Sequence, residues 1–382
     1  MNYGRKNNTV LFLSICVILN DMTTQRYDRQ IILPEIGSTG QKKLSSARVL
    51  CIGAGGLGCP ALLYLAGAGI GTIGIVDFDT VSLSNLQRQV LFTTEDQGQS
   101  KAQAARSRLA DLNPDIEIKA YDTELTSDNI LDLFADYDII LDGTDNFPAK
   151  FLINDAAVKL GKPVVYGAIQ GFDGRVSVFG WRDGPCYRCL HPKPPESTIM
   201  NCAEAGVIGA VAGIIGTVKA LEAIKIIVGD VTFQPLSGRL WMCDTRSMDT
   251  RTLTIPKQAD CPVCSKKPDD IKLTYTSPVC QVNDITEISC QDPLIDQAML
   301  VDVREQQEWD KGHIADAVHL PLSELQKNPA QFKPPENGQK TVLYCQKGMR
   351  SLKAAEILTN AGFSDLYSLK GGFESWCQAR SD

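Results

Sequence analysis

The chain has 382 residues, 43% hydrophobic and 22% charged, with a formal net charge of -7. That length accommodates two or more domains, and the composition is that of an ordinary globular chain. The acidic balance and the lack of any basic tract argue against nucleic acid as the main partner.

The N-terminus carries an apolar run, Val10–Leu19, after Arg5 and Lys6. It is too short to span a bilayer as a helix. It resembles a signal-peptide core, but no small-x-small cleavage site comes after it; the next residues are Asn20-Asp21-Met22. We read Met22 as the natural start and residues 1–21 as an unstructured upstream extension. No membrane attachment is expected.

From Thr24 the chain reads as a short polar arm and then a helix. The stretch Ser45–Asp79 has a clear βαβ pattern: an apolar strand at Arg48–Ile52, a glycine-rich turn, a helix rich in Ala, Leu and Gly, and a second strand at Thr72–Asp77. A polar loop comes next at Ser82–Phe92. Helical spacing runs over Lys101–Leu112, and Asn113-Pro114 breaks it. Strands are expected at Ile116–Tyr121, Asp138–Asp142, Pro163–Ala168 and Arg175–Phe179, with a helix at Asn154–Leu160. Val207–Val228 is apolar enough for a membrane span. Lys219, Glu222 and Lys225 lie inside it, however, so it reads as a helix buried beside the sheet. Further strands are expected within Leu236–Thr254.

After a polar stretch the pattern restarts. We expect a linker over 269–284 and a second α/β domain over 285–382, following a first domain of 22–268. The second domain shows strand patterns at Met299–Asp302, Val318–Leu320, Thr341–Tyr344 and Asp365–Leu369. Strands alternating with helices imply a doubly wound, mostly parallel α/β sheet of Rossmann type, followed by a smaller α/β unit.

The turn between the first strand and helix contains Gly53, Gly55, Gly56 and Gly58. Glycine permits a tight turn and close approach to a phosphate, and the N–H groups opening the next helix face the anion. Asp77 ends the second strand at the spacing of a ribose-binding acid. A nicotinamide-dependent oxidoreductase would show the same loop. The residues downstream of Asp77 separate the two. Ser84-Asn85-Leu86-Gln87-Arg88, Lys101, and Asp145-Asn146 beyond the strand Asp138–Asp142 bring cations and an acid toward a triphosphate. That set suits magnesium-assisted attack on phosphorus rather than hydride transfer.

These segments, with Arg26–Ile31, Asp77–Asp79 and Gly98–Lys101, resemble the MoeB/ThiF adenylyltransferases, bacterial relatives of ubiquitin-activating enzymes. The resemblance covers Arg26–Cys264. It implies that Gly56, Asp77, Ser84–Arg88, Lys101, Asp145 and Asn146 contact ATP and that Asp145 holds Mg²⁺. It also implies that Arg29 reaches into a partner subunit's site, and so a homodimer.

Thirteen cysteines would suit a secreted disulfide scaffold, but a large chain with nucleotide-site features argues for a cytoplasmic setting. Cys186-x-x-Cys189 and Cys261-x-x-Cys264 supply four thiolates, which suit a closed, structural zinc site; a redox dithiol is the alternative. The same family carries both pairs. Cys202, before the long apolar helix, reads equally as a small buried residue or, by the resemblance, as a cysteine that bonds a carrier protein transiently.

Cys345-Gln346-Lys347-Gly348-Met349-Arg350 lies between a strand and a helix. A thiol at a helix N-terminus beside two cations is stabilised as a thiolate or persulfide anion. With Val301–Glu305, Glu308-Trp309, Gly312–Ile314 and Gly371–Phe373, this loop resembles a rhodanese sulfurtransferase domain. His313 reads as structural.

Together the resemblances imply ATP-dependent adenylation of the C-terminal glycine of a ubiquitin-like sulfur carrier, and then sulfur transfer from Cys345. A cysteine desulfurase or thiosulfate would supply the sulfur, and the thiocarboxylate would serve molybdenum cofactor synthesis. A thiamine route is the alternative. Remoter readings are the oxidoreductase above and a non-catalytic scaffold that docks the carrier.

Overall fold

The computed structural model describes residues 25–194, 206–273, 285–335 and 338–379. The expected extension 1–21, Cys202 and most of the expected linker lie outside the described residues. Two units divide the chain, Met1–Pro278 and Val279–Asp382.

Among the described residues, the first unit is built on eight strands: β1 (Arg48–Ile52), β2 (Thr72–Val76), β3 (Glu117–Tyr121), β4 (Ile139–Asp142), β5 (Val164–Gln170), β6 (Asp173–Phe179), β7 (Arg239–Asp244) and β8 (Asp249–Thr254). Their order is β3-β2-β1-β4-β5-β6-β7-β8. The first five are parallel and the last three antiparallel.

Period-two alternation explains the layers. On β1, Val49 and Cys51 enter one core with Leu62, Leu65, Ala105, Leu109 and Ala220, which lie on the helices Gly58–Ala68, Lys101–Leu112 and Gly209–Val228. Leu50 and Ile52 enter the other core with Ile130, Phe134, Phe151 and Leu152, on the helices Ile130–Ala135 and Phe147–Leu160. Both faces of β1 and β4 are covered, so these strands are apolar without alternation. The strand order reverses between β1 and β4, and open α/β sheets bind ligands beyond the carboxyl ends at such a point.

Several elements differ from the sequence-based expectation. The polar arm is already helical over residues 25–31. Its Tyr27 is buried and its hydroxyl accepts from the Asn113 amide at 2.7 Å. One inward residue among polar ones is too little to show as a pattern. The helix expected from Asn154 begins at Phe147, where Asn146 accepts from the Ala149 N–H and Pro148 occupies the first turn. β5 runs two residues beyond Ala168 because it pairs with β6 down to Gln170–Asp173. Ile271, in the expected linker, is buried against the cysteine pairs.

The helix Gly209–Val228 packs beside the sheet, with Lys219 and Glu222 buried. Among the described residues no helix is long and apolar enough to cross a membrane.

Among its described residues, the second unit has five parallel strands: β9 (Thr286–Ile288), β10 (Met299–Asp302), β11 (Val318–His319), β12 (Thr341–Tyr344) and β13 (Leu366–Leu369). Their order is β11-β10-β12-β13-β9. Leu343 faces a core with Val301, Ala354 and Leu358; Val342 and Tyr344 face another with Leu369 and Trp376. β9 was not expected: it is three residues long and only Ile288 is buried.

Candidate functional site

A cleft of about 510 Å³ opens beyond the carboxyl ends of β1, β2 and β4. Gly53, Gly55, Gly56, Asp77, Asn85, Arg88, Lys101, Asp145 and Asn146 all line it. The structure thus gathers nine of the residues singled out from sequence, from segments almost a hundred positions apart.

The glycine loop has tight geometry. Gly53 has φ +92°, and a Cβ there would stand 3.1 Å from the Gly143 carbonyl. A Cβ on Gly58 would stand 2.0 Å from the Gly53 carbonyl. Gly58 is therefore a packing residue beneath the loop rather than part of the cleft lining. Asp77 closes the loop from below. Its carboxylate accepts from the Ala54 N–H at 2.7 Å and the Asp79 N–H at 2.9 Å. Burial pushes its carboxyl above the usual range, against the pull of Lys101.

Lys101 opens its helix and is buried, with Nζ 2.9 Å from Asp79 Oδ2. Arg88 donates to the Ser84 carbonyl at 3.1 Å, which orients the short helical turn Leu83–Asn85 beside the cleft. Gln89 is buried next to it, and its Oε1 has no hydrogen-bond partner among the described residues. Asp145 is exposed in the cleft, while the Asn146 side chain caps the helix Phe147–Leu160. Ser84 and Gln87 lie outside the lining, and Leu86 packs on the core. Arg29 is exposed on the N-terminal helix, away from this chain's cleft.

Beneath the cleft lies a charged cluster that the sequence pattern did not single out. The buried Asp142 ends β4 and pairs with the buried Lys150 at 2.8 Å. Asp142 Oδ1 also accepts from the Thr144 N–H and hydroxyl at 3.0 and 2.6 Å. Lys150 donates further to the Thr144 and Gly167 carbonyls at 2.8 and 3.2 Å. Lys219, fully buried, donates to the Asp142 carbonyl at 2.6 Å, and burial pushes its ammonium down to about 8. These bonds fix the loop that carries Asp145. The one sequence signal was Lys219 in an apolar helix, since a buried cation must find acceptors.

The four cysteines Cys186, Cys189, Cys261 and Cys264 come together with all sulfurs within 4.8 Å of one another. Two cross pairs stand 3.5 Å apart. Tetrahedral thiolates on zinc sit about 3.8 Å from each other, so the cluster fits such an ion. The Gln258 N–H points at Cys189 Sγ, 3.5 Å away. Arg188, within the first pair, is held by the buried Asp155 at 2.5 Å.

In the second unit Cys345 succeeds β12 and is buried. Its sulfur accepts from the Gly348 N–H at 3.2 Å and lies 3.8 Å from the Ser351 hydroxyl. The loop then enters the helix Met349–Asn360. Gln346 accepts from Arg304 at 3.1 Å, and Arg304 is itself bound by the buried Asp302. Lys347 is exposed. Arg350 makes a two-pronged bond to Glu308 at 2.7 and 2.6 Å. His313 stacks on Trp309 with ring centroids 3.6 Å apart.

Comparison with known proteins covers both units. The ThiF family model matches residues 27–263 and the rhodanese-like domain model residues 288–379. A Mycobacterium tuberculosis protein named probable adenylyltransferase/sulfurtransferase MoeZ is 43% identical, covering 92% of each chain. Adenylyltransferase and sulfurtransferase MOCS3 of Aedes aegypti is 39% identical, over 94% of this chain and 87% of that protein. A Thermus thermophilus sulfur carrier protein adenylyltransferase is 47% identical, over 67% of this chain and 96% of its own length. Among solved structures, Escherichia coli MccB with MccA-N7isoASN matches with a TM-score of 0.57 at 22% identity, over 64% of this chain and 75% of that one. That last likeness concerns the fold alone.

Proposed function

The chain belongs to the ThiF family, with a rhodanese-like domain after it, and from that premise we propose that it activates the C-terminal glycine of a ubiquitin-like sulfur carrier with ATP and loads it with sulfur. The observation that carries this reading is the cleft, where the glycine loop, Arg88, Lys101 and Asp145 share one lining.

ATP lies with its phosphates on the glycine loop, where backbone N–H groups and the start of the helix Gly58–Ala68 favour negative charge. The carrier's carboxylate attacks the α-phosphorus and pyrophosphate leaves, giving an acyl-adenylate. Arg88 and Lys101 stabilise the charge that develops on the phosphates. Asp145 is the residue to hold Mg²⁺, which supplies further charge neutralisation when bound. Arg29 completes the site of a second subunit in a homodimer. Asn85 and Asn146 border the nucleotide, and the four cysteines hold a structural zinc.

A persulfide on Cys345 then attacks the acyl carbon and AMP leaves. A thiol displaces the thiocarboxylate from the acyl persulfide and leaves a disulfide on Cys345 for a cellular dithiol to reduce; Cys202 is the candidate to bond the carrier transiently. The sulfur comes from a cysteine desulfurase or from thiosulfate, in the cytoplasm. The two relatives that join adenylyltransferase and sulfurtransferase in their names support one chain doing both steps.

For the route, we favour molybdenum cofactor synthesis over thiamine. A deletion strain scored for nitrate reductase activity and for thiamine need separates them; thiamine need alone overturns the molybdenum assignment. The adenylation step is tested by mass spectrometry of a carrier incubated with ATP and the protein. A carrier gaining an adenylate supports the reading, and an unchanged set of carriers overturns it.

A further inference from the structure

We propose that Glu308 is a specificity-determining residue of the Cys345 loop, one that ties up Arg350 and so disfavours dianionic sulfur donors relative to alkyl persulfides. This rests on the reading of Cys345 as the residue that carries sulfur.

Arg350 ends the Cys345–Arg350 segment and lies in the first turn of the helix Met349–Asn360. Both of its terminal nitrogens donate to Glu308, one to each oxygen, at 2.7 and 2.6 Å. A planar guanidinium on a carboxylate in this fork is the strongest form of such a pair. Glu308 is held below the ordinary carboxylate range, first by its bond to Arg350. Arg350 is held above its own range, first by Glu308 and to a smaller degree by the Cys345 sulfur. The side chains are 28% and 32% exposed, so the pair sits where a small solute reaches it.

Two nearby charged side chains are already bonded. Arg304 is bound to Asp302 and Gln346. Glu374 accepts from the Gln346 amide at 3.3 Å. Lys347 is the exposed cation of the loop. With Arg350 neutralised by Glu308, an arriving dianion meets Lys347 and a carboxylate rather than two unpaired cations.

The chemistry makes this matter. The Cys345 thiolate attacks the outer sulfur of the donor. A new sulfur–sulfur bond forms, the donor's bond breaks, and its electron pair leaves with the donor. From thiosulfate the leaving group is sulfite, a dianion that an unoccupied cationic fork would stabilise. From an alkyl persulfide it is a thiolate with one charge. The transferred sulfur keeps its oxidation level, so no other reagent is required.

The test is Glu308→Gln in the full chain. Glutamine keeps the size of the side chain and can still accept from the Glu305 N–H, as Glu308 does at 3.3 Å. Sulfur loading is read as the gain of one sulfur atom by intact-protein mass spectrometry, with thiosulfate and with cysteine persulfide as donors. We expect kcat/KM for thiosulfate to rise about tenfold at low salt, with the gain shrinking as salt screens the charges. The persulfide rate should move less than about twofold. Adding Arg350→Gln to Glu308→Gln should abolish the gain. Equal effects on both donors, or slower thiosulfate loading, would overturn the proposal. Sulfur gained by Cys345→Ala would instead overturn the underlying reading of Cys345, whatever Glu308→Gln does.

Discussion

The Lys150 ammonium lies 2.8 Å from a carboxylate oxygen of Asp142, with both residues buried at the end of β4. Lys150 also holds the Thr144 carbonyl, and Asp142 holds the Thr144 N–H and hydroxyl. The pair is therefore the anchor of the loop that presents Asp145 to the cleft.

Removing one partner leaves a buried charge unpaired. Lys150→Met should cost roughly 3–5 kcal/mol in urea unfolding of the first unit. It should also lower adenylation, because the Asp145 loop loses its anchor. Asp142→Leu on top of it should recover part of the stability but not the activity. Additive losses in this double-mutant cycle would mean that the two residues are not coupled.

Lys219 makes stability depend on pH in a defined direction. Its ammonium is lowered to about 8 from 10.5, first by burial. Between these values the unfolded chain binds the proton more than the folded one, so stability rises with pH across that window. Below pH 8 both states are protonated and the cost of burying the charge is fully present. Lys219→Met should remove this rise, of order 3 kcal/mol in total. A variant whose stability climbs from pH 8 to 10 as steeply as the parent would contradict the assignment.

The cysteine cluster should hold one zinc ion per chain. Its sulfurs draw together the segment after β6 and the segment after β8, which are distant in sequence. Cys264→Ser should lower the zinc content measured by atomic emission and lower the melting temperature of the first unit. Full zinc occupancy in that variant would show that the ion sits elsewhere.

Cys345→Ala should abolish thiosulfate sulfurtransfer and leave ATP–pyrophosphate exchange within about twofold of the parent, since each unit has its own sheet and core. Loss of both activities would mean that the two sites do not work separately.

How much of this was legible depended on distance along the chain. The glycine loop, both C-x-x-C pairs and the Cys345 loop are local patterns, and local patterns survive in one dimension. The long helix was legible too, because Lys219 and Glu222 are wrong for a membrane. What the sequence concealed are pairs. Lys150 fell before the expected helix Asn154–Leu160, and nothing marked it until Asp142 and Gly167 were placed around it. Glu308 was visible only as part of a segment, because its partner lies 42 residues away. Gly58 belongs to the motif, yet it serves packing, and only the approach of the Gly53 carbonyl reveals that. β9 has three residues and one buried side chain, too little for any periodicity.

Everything proposed for this chain depends on the cleft making an acyl-adenylate. ATP–pyrophosphate exchange tests it most directly, with a sulfur carrier present, with the same carrier lacking its terminal glycine, and with Arg88→Ala. Exchange is expected with the intact carrier only, and at least about a hundredfold less with Arg88→Ala. No exchange with any carrier, or exchange that persists without the terminal glycine, would contradict it.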